Sequence, residues 1–152
     1  MLPGKLSKRV ITDRLHWVDH MVEEIQSLPL ETETIFCGDS RNIWAAESCL
    51  RRALEALFDL GRHILAKGFA SAVTEYKEIA ANLHAREVIS KPDAELMRKL
   101  AGYRNRLVHF YHDVSAEELY EICTHQLGDV KDLANALRSW LRDNQDKLDE
   151  GL

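Results

Sequence analysis

The stretch Tyr103-Arg104-Asn105-Arg106-Leu107-Val108-His109-Phe110-Tyr111-His112-Asp113 gathers guanidinium, amide and imidazole groups within three helical turns. On an ideal helix at about 100° per residue, Asn105, His109 and His112 project from one side. Leu100, Tyr103, Leu107 and Phe110 cluster on the other, and Arg104 and Tyr111 fall together at the border. Asn105 and His109 are four apart, so they neighbour one another and can share a hydrogen bond. Arg104 lies roughly 140° round from His109, too far to pair with it in one straight helix. A site that uses both needs a helix irregularity or a second copy of the helix facing the first. Two-fold pairing of identical helices supplies that copy, so the expectation is a homodimer.

These residue types suit cleavage of a ribose–phosphate linkage. A histidine titrates near neutrality and can take a proton from the 2′-hydroxyl or give one to the leaving 5′-oxygen. An arginine stays charged, and its planar donors match phosphate oxygens as negative charge builds on them. Asn105 can orient the imidazole or contact phosphate. The 2′-hydroxyl is an internal nucleophile and Arg104 supplies the electrostatics, so this chemistry calls for no metal and no cofactor. It acts on RNA and not on DNA. His112 either joins the site or is an exposed neighbour. Spacing alone also fits a polar helix face with solvated charges.

Helical periodicity supplies the elements that must position this segment. Ile11, Leu15, Val18, Val22 and Ile25 share one face of a first helix, which Ser7 can cap and Leu28-Pro29 ends. Leu30 to Gly38 reads as a polar connection. A long second helix runs from Asp39 or Ser40 to about Lys67, burying Ile43, Ala46, Leu50, Ala53, Leu57, Leu60 and Ile64, with Gly68 as its C-cap. A shorter helix spans Thr74 to about Arg86. Ser90-Lys91-Pro92-Asp93 opens the fourth, whose stripe is Leu96, Leu100, Tyr103, Leu107, Phe110 and Val114. Ser115-Ala116-Glu117-Glu118 opens a fifth that reaches Trp140. The sum is an all-α antiparallel helix bundle of four long helices and a short one. It forms a single domain over 1–152, with a tail from about 143 to 152 that frays.

Composition narrows the setting. Hydrophobic residues make up 45% and charged residues 30% of the 152, a globular balance. The net charge of −5 gives no general affinity for a polyanion, so any RNA must be held by a local cationic site. Arg51-Arg52 and Arg98-Lys99 lie among acidic residues and read better as solvated faces than as an RNA surface. His16 and His20 have the spacing of a metal pair, but no third ligand sits at a telling distance, and exposure is expected. Cys37, Cys49 and Cys123 form no C-x-x-C pair, which fits a reducing compartment. No apolar run is long enough for a signal peptide or a membrane span, so the expected location is cytoplasmic, away from the membrane.

The segment Arg104-Asn105-Arg106-Leu107-Val108-His109-Phe110-Tyr111 matches in full the R-N-x-x-x-H-x-Y form of the HEPN motif, and the chain resembles the HepT-like toxins. Ala45-Ala46-Glu47-Ser48-Cys49-Leu50 through His63-Ile64-Leu65 resembles the family's long second helix, and Tyr76 onward its short third one. The resemblance covers roughly Ile11 to Trp140. It implies a HEPN-like bundle and a metal-independent endoribonuclease whose paired sites lie at a dimer interface. Arg104 and His109 would be catalytic, with Asn105 as the polar residue that follows the arginine. It also implies a type II toxin–antitoxin pair, in which a cognate nucleotidyltransferase, the MNT antitoxin, adenylylates Tyr111. AMP attached there would compete with RNA phosphate for the donors of Arg104. A second reading of the same resemblance is a non-catalytic HEPN dimer, serving a nucleotidyltransferase as nucleotide-binding module or scaffold.

Overall fold

Ser7 has extended backbone geometry and its hydroxyl accepts from the Val10 amide at 3.2 Å, which starts α1 (Lys8–Gln26) in the computed structural model. The structure describes residues 2–108 and 114–152. The expected stripe of α1 is the buried one: Ile11, Val18, Val22 and Ile25 lose nearly all exposure, and Leu15 packs at the margin.

The connection from Leu30 to Gly38 departs from expectation. Thr32 caps a short helix, α2 (Glu33–Cys37), and Phe36 is fully buried with its ring 5.5 Å from that of Tyr120. So short an apolar run, Ile35-Phe36-Cys37 in an otherwise polar stretch, has no periodicity to reveal it, yet its one ring is buried in the core.

Asp39 caps α3 (Ser40–His63) by accepting from the Arg41 amide at 2.9 Å. This helix is the hub. It packs against α1, against α4 (Tyr76–Ala85) and α5 (Lys91–Val108), and against α6 (Ala116–Glu121) and α7 (Leu127–Asp143). Its buried set is correspondingly wide, running from Ala46 through Leu50, Leu54, Leu57 and Phe58 to Gly61. A Cβ on Gly61 would meet Ile79 Cγ2 and Leu83 Cδ1, each at 3.0 Å, so α4 approaches α3 closely at the glycine and a larger residue would make those side chains shift.

One correction concerns a helix end. Gly68 does not cap α3 in a left-handed conformation; the helix widens into a π turn (Ile64–Gly68), and Ala70 takes the positive φ of 54°. The Ser71 amide then closes the end by donating to the Leu65 carbonyl at 2.9 Å. The tail makes contacts of its own. After a 3₁₀ turn (Gln145–Lys147), Leu148 is buried and bridges Leu6; the Leu6 amide donates to the Lys147 carbonyl and the Asp149 amide to the Leu6 carbonyl, both at 2.8 Å. Two backbone bonds and one buried leucine hold a segment whose polar composition suggested freedom.

The expected fifth helix is continuous but wound in three parts, α6, a π turn (Ile122–Gln126) and α7. Ser115 accepts from the Glu118 amide at 3.1 Å, as a capping residue should. Cys123 is buried on its inner face, and burial pushes its thiol up to about 12. It acts there as a small apolar side chain.

His63, at the end of α3, accepts the Ser7 amide proton on Nε2 at 2.9 Å and so joins the N-terminus of α1 to the core. Burial, then the nearby Lys67 and Arg14, hold its pKa below the ordinary histidine value. The unfolded chain therefore takes up this proton first as pH falls, and the stability carried by neutral His63 is present above the unfolded pKa of 6.5 and lost below it. Urea denaturation between pH 7.5 and 5 should show a falling midpoint, about these limits. A His63→Asn variant should be less stable at pH 7.5 and should show a shallower decline; a parallel decline would mean that this histidine does not contribute to it.

Candidate functional site

The C-terminal half of α5 carries Arg104 and Asn105, two of the residues singled out for chemistry. Ser90 starts that helix by accepting from the Asp93 amide at 3.2 Å. Met97, Leu100 and Ala101 bury its inner face, while Leu96, Tyr103 and Leu107 pack at the edge of the core. Tyr103 also donates its hydroxyl proton to Gln126 Oε1 at 2.8 Å, tying α5 to the π turn before α7.

Arg104 lies at the border of the core, where helical periodicity put it, with its side chain 25% exposed. Its guanidinium carbon stands 4.4 Å from the centroid of the Tyr76 ring, and Phe58 stacks on the same ring at 4.8 Å and 4°. Three elements thus meet in one pile: Phe58 from α3, Tyr76 from the first turn of α4, and Arg104 from α5. Contact of this kind is worth about 1 kcal/mol or more when partly desolvated. Burial pushes the Tyr76 phenol up, and the Arg104 charge opposes that rise.

The polar contacts of Arg104 are long by comparison. Nη2 donates to Glu55 Oε2 at 3.3 Å and Nη1 to Asn105 Oδ1 at 3.4 Å. Nε is buried and meets no acceptor among the described residues. Glu55 is bound more closely by Arg51, whose Nη1 donates to Oε1 at 2.6 Å across one helical turn of α3. Arg62 lies 5.5 Å from the same Tyr76 ring and is fixed by Asp59 at 3.1 Å and by the carbonyls of Val73 and Thr74.

Arg106 plays a different part. It grips Glu118 with both terminal nitrogens, at 2.8 and 2.6 Å, and holds the carboxyl of Glu118 below its usual range. The carboxylate of the capping-box glutamate is thus bound to the preceding helix. The bond joins the end of α5 to the start of α6, so both ends of the intervening segment are anchored.

Of the sequence-derived site, Arg104 and Asn105 are side by side. His109, Tyr111 and His112 lie outside the described residues, as does Phe110 of the expected core stripe. Glu55 and Tyr76, which touch Arg104, were not singled out from sequence, and Arg51 was read as solvated. The i, i+4 spacing of Arg51 and Glu55 was the one local signal available. His16 and His20 stack on each other at 5.7 Å and 7°, and no group of three metal-ligating side chains occurs among the described residues. Lys99 sits over the Tyr103 ring at 6.0 Å. No helix among the described residues is long and apolar enough to cross a membrane.

Comparison with known proteins decides the family. The model of HepT-like ribonucleases matches residues 18–137. The chain belongs to the HepT-like ribonuclease family. No curated protein sequence matches it. Among solved structures it is similar to a tri-AMPylated HEPN toxin of Shewanella oneidensis in complex with MNT antitoxin, with 19% identity and a TM-score of 0.77 over 86% of this chain and 97% of that one. A toxin–antitoxin structure with AMP-PNP is similar at 18% identity and a TM-score of 0.78, covering 87% and 99%. YutE of Bacillus subtilis, described as a cytosolic protein of unknown function, is similar at 21% identity and a TM-score of 0.74, covering 91% and 94%. These likenesses establish the fold, an all-α HEPN bundle, as the sequence reading expected.

In this HepT-like chain the Phe58–Tyr76–Arg104 pile should depend on the ring and not on the phenol. Tyr76→Phe should leave the denaturation midpoint nearly unchanged, whereas Tyr76→Ala should cost about 2 kcal/mol, since a half-buried ring is lost with its cation. Urea denaturation measures both; equal losses would assign the role to the hydroxyl.

Proposed function

We propose that this HepT-like chain is a metal-independent endoribonuclease, the toxin of a type II toxin–antitoxin pair acting in the cytoplasm. The observation that carries the reading is Arg104, a half-buried cation held on an aromatic face with its donors only loosely engaged. Such a group can stabilise charge that develops on a phosphate without first being reorganised. His109, five residues on in the motif, is the proton-transfer residue: one imidazole takes the 2′-hydroxyl proton, the oxygen attacks phosphorus, and the 5′-oxygen leaves with a proton. The products are a 2′,3′-cyclic phosphate and a 5′-hydroxyl. Asn105, already in contact with Arg104, contributes to phosphate orientation. A homodimer would bring the two catalytic groups together across its seam.

The family match and the likeness to a toxin solved with its MNT antitoxin support a nucleotidyltransferase partner, with Tyr111 as the adenylylation site. The rival, a non-catalytic dimer that serves the transferase as scaffold or nucleotide-binding module, is favoured by one observation: Arg104 already faces a carboxylate, that of Glu55.

Two experiments separate them. Purified protein should degrade total RNA and leave cyclic phosphate ends, and Arg104→Ala or His109→Ala should reduce the rate by a factor of about a thousand. Equal decay in wild type and in both variants would end the nuclease reading. Expression alone should arrest growth and co-expression of the transferase should relieve it, with AMP found on Tyr111 by mass spectrometry; a harmless chain would support the scaffold.

A further inference from the structure

Two guanidiniums converge on one carboxylate. Arg51 reaches Glu55 Oε1 at 2.6 Å and Arg104 reaches Oε2 at 3.3 Å, so the cations lie on either side of a single planar anion. A phosphodiester offers two oxygens in a similar arrangement and with the same single charge. The cations outnumber the anion they share, and the site retains a positive excess within a protein of net charge −5.

Arg104 does not rely on Glu55 for its position, because the Tyr76 ring holds the guanidinium by its face. Glu55 can leave without collapsing the site. It also has somewhere to go: Glu55 lines an open groove of about 310 Å³ with Asp13, Arg14, Trp17, Arg52, Ala56 and Asp59. Arg52, one helical turn before Glu55, donates to Ser48 Oγ at 3.3 Å and is exposed. A carboxylate swinging into the groove meets that cation at i, i−3, a favourable helical pairing. The side chains of Glu55, Arg51 and Arg104 are each between 25% and 36% exposed, so the exchange involves partly screened pairs.

We propose that Arg51 and Arg104 together form a site for an RNA phosphate and that Glu55 is its internal occupant, displaced when RNA binds. The proposal rests on the ribonuclease reading for the identity of the anion. It assigns Arg51 a ligand role and makes Glu55 a competitor: a weak anion cannot displace it, whereas an RNA strand held at several points can.

The test uses a 2′-O-methyl oligoribonucleotide, whose blocked nucleophile allows binding without cleavage. Its affinity for full-length wild type, Glu55→Gln, Arg51→Gln and the double variant is measured by fluorescence anisotropy, with thermal melts confirming that each is folded. Glu55→Gln should tighten binding about threefold to tenfold, and Arg51→Gln should weaken it about tenfold. The double variant should bind about tenfold more weakly than Glu55→Gln alone, because Arg51 then acts as a ligand independent of Glu55. The proposal is overturned if Glu55→Gln binds no better than wild type, or if the double variant equals Glu55→Gln, which would leave Arg51 as a mere neutraliser. Unmodified RNA is incubated in parallel. Uncut RNA with the affinity changes intact would remove the nuclease reading and keep the anion site; cut RNA with unchanged affinities would do the reverse.

Discussion

The position of Arg104 depends on an aromatic ring more than on its ion pair, and the proposed function of the chain depends on that position. The face of Tyr76 attracts the Arg104 guanidinium through the ring quadrupole, and this contact uses none of its N–H donors. The ring in turn stacks on Phe58. Phe58 is fully buried in the hub helix, so the position of Arg104 is fixed by the main core. Disturbing the packing of α3 against α4, for instance at Gly61, would move the ring and with it the charge.

The bundle accounts for why this pile can form at all. Tyr76 is the first residue of α4, and α4 is drawn onto α3 by Ile79, Ala80 and Leu83, all buried. Arg104 comes from the far end of α5, which lies beside both helices. The residues that surround the guanidinium therefore come from three elements separated by long stretches of chain. Glu55 stands three residues before Phe58 on α3, so the two are neighbours on that helix, Phe58 buried and Glu55 at the margin of the core. One helix thus supplies both the ring that stacks on Tyr76 and the carboxylate that Arg104 meets.

Much of this fold could be read from apolar spacing, because a buried helix face repeats every three or four residues and the chain repeats it five times. The stripes of α1 and α3 are buried much as their periodicity required, and Arg104 lies at the core border where the helical wheel placed it; on α5 the buried face is shifted, to Met97, Leu100 and Ala101, and the expected Leu96, Tyr103 and Leu107 lie at the edge of the core. What escaped depends on isolated contacts. Phe36 is the one fully buried residue of α2, Leu148 and two backbone bonds to Leu6 dock the tail, and Ala70 carries a left-handed turn for which Gly68 was the plausible candidate. None of these leaves a repeating pattern. The neighbours of Arg104 escaped for another reason: Glu55 and Tyr76 are 49 and 28 positions away in sequence (104 − 55 and 104 − 76), and helical spacing relates only residues on the same helix. Motif spacing identified the arginine, but only the packing of three helices could identify what holds it.

Arg104 and Arg106 show how context divides one residue type between two tasks. They stand two positions apart on α5, so they point to different sides of it. Arg106 makes two short bonds to Glu118, and in doing so spends its planar fork on joining two helices. A guanidinium held that way has little left for a ligand. Arg104 has only long polar contacts, and its fixed orientation comes from a ring that leaves the fork unspent. Neither arrangement could replace the other. An arginine gripped by a carboxylate at both nitrogens would have to break a strong pair before meeting phosphate, and one merely stacked on a ring could not transmit the pull that anchors α6. The acidic surplus of the chain makes the distinction sharper, since almost any exposed arginine will find a carboxylate nearby. Arg104 too meets a carboxylate, that of Glu55, but at 3.3 Å and through one nitrogen, while its main hold is the Tyr76 ring.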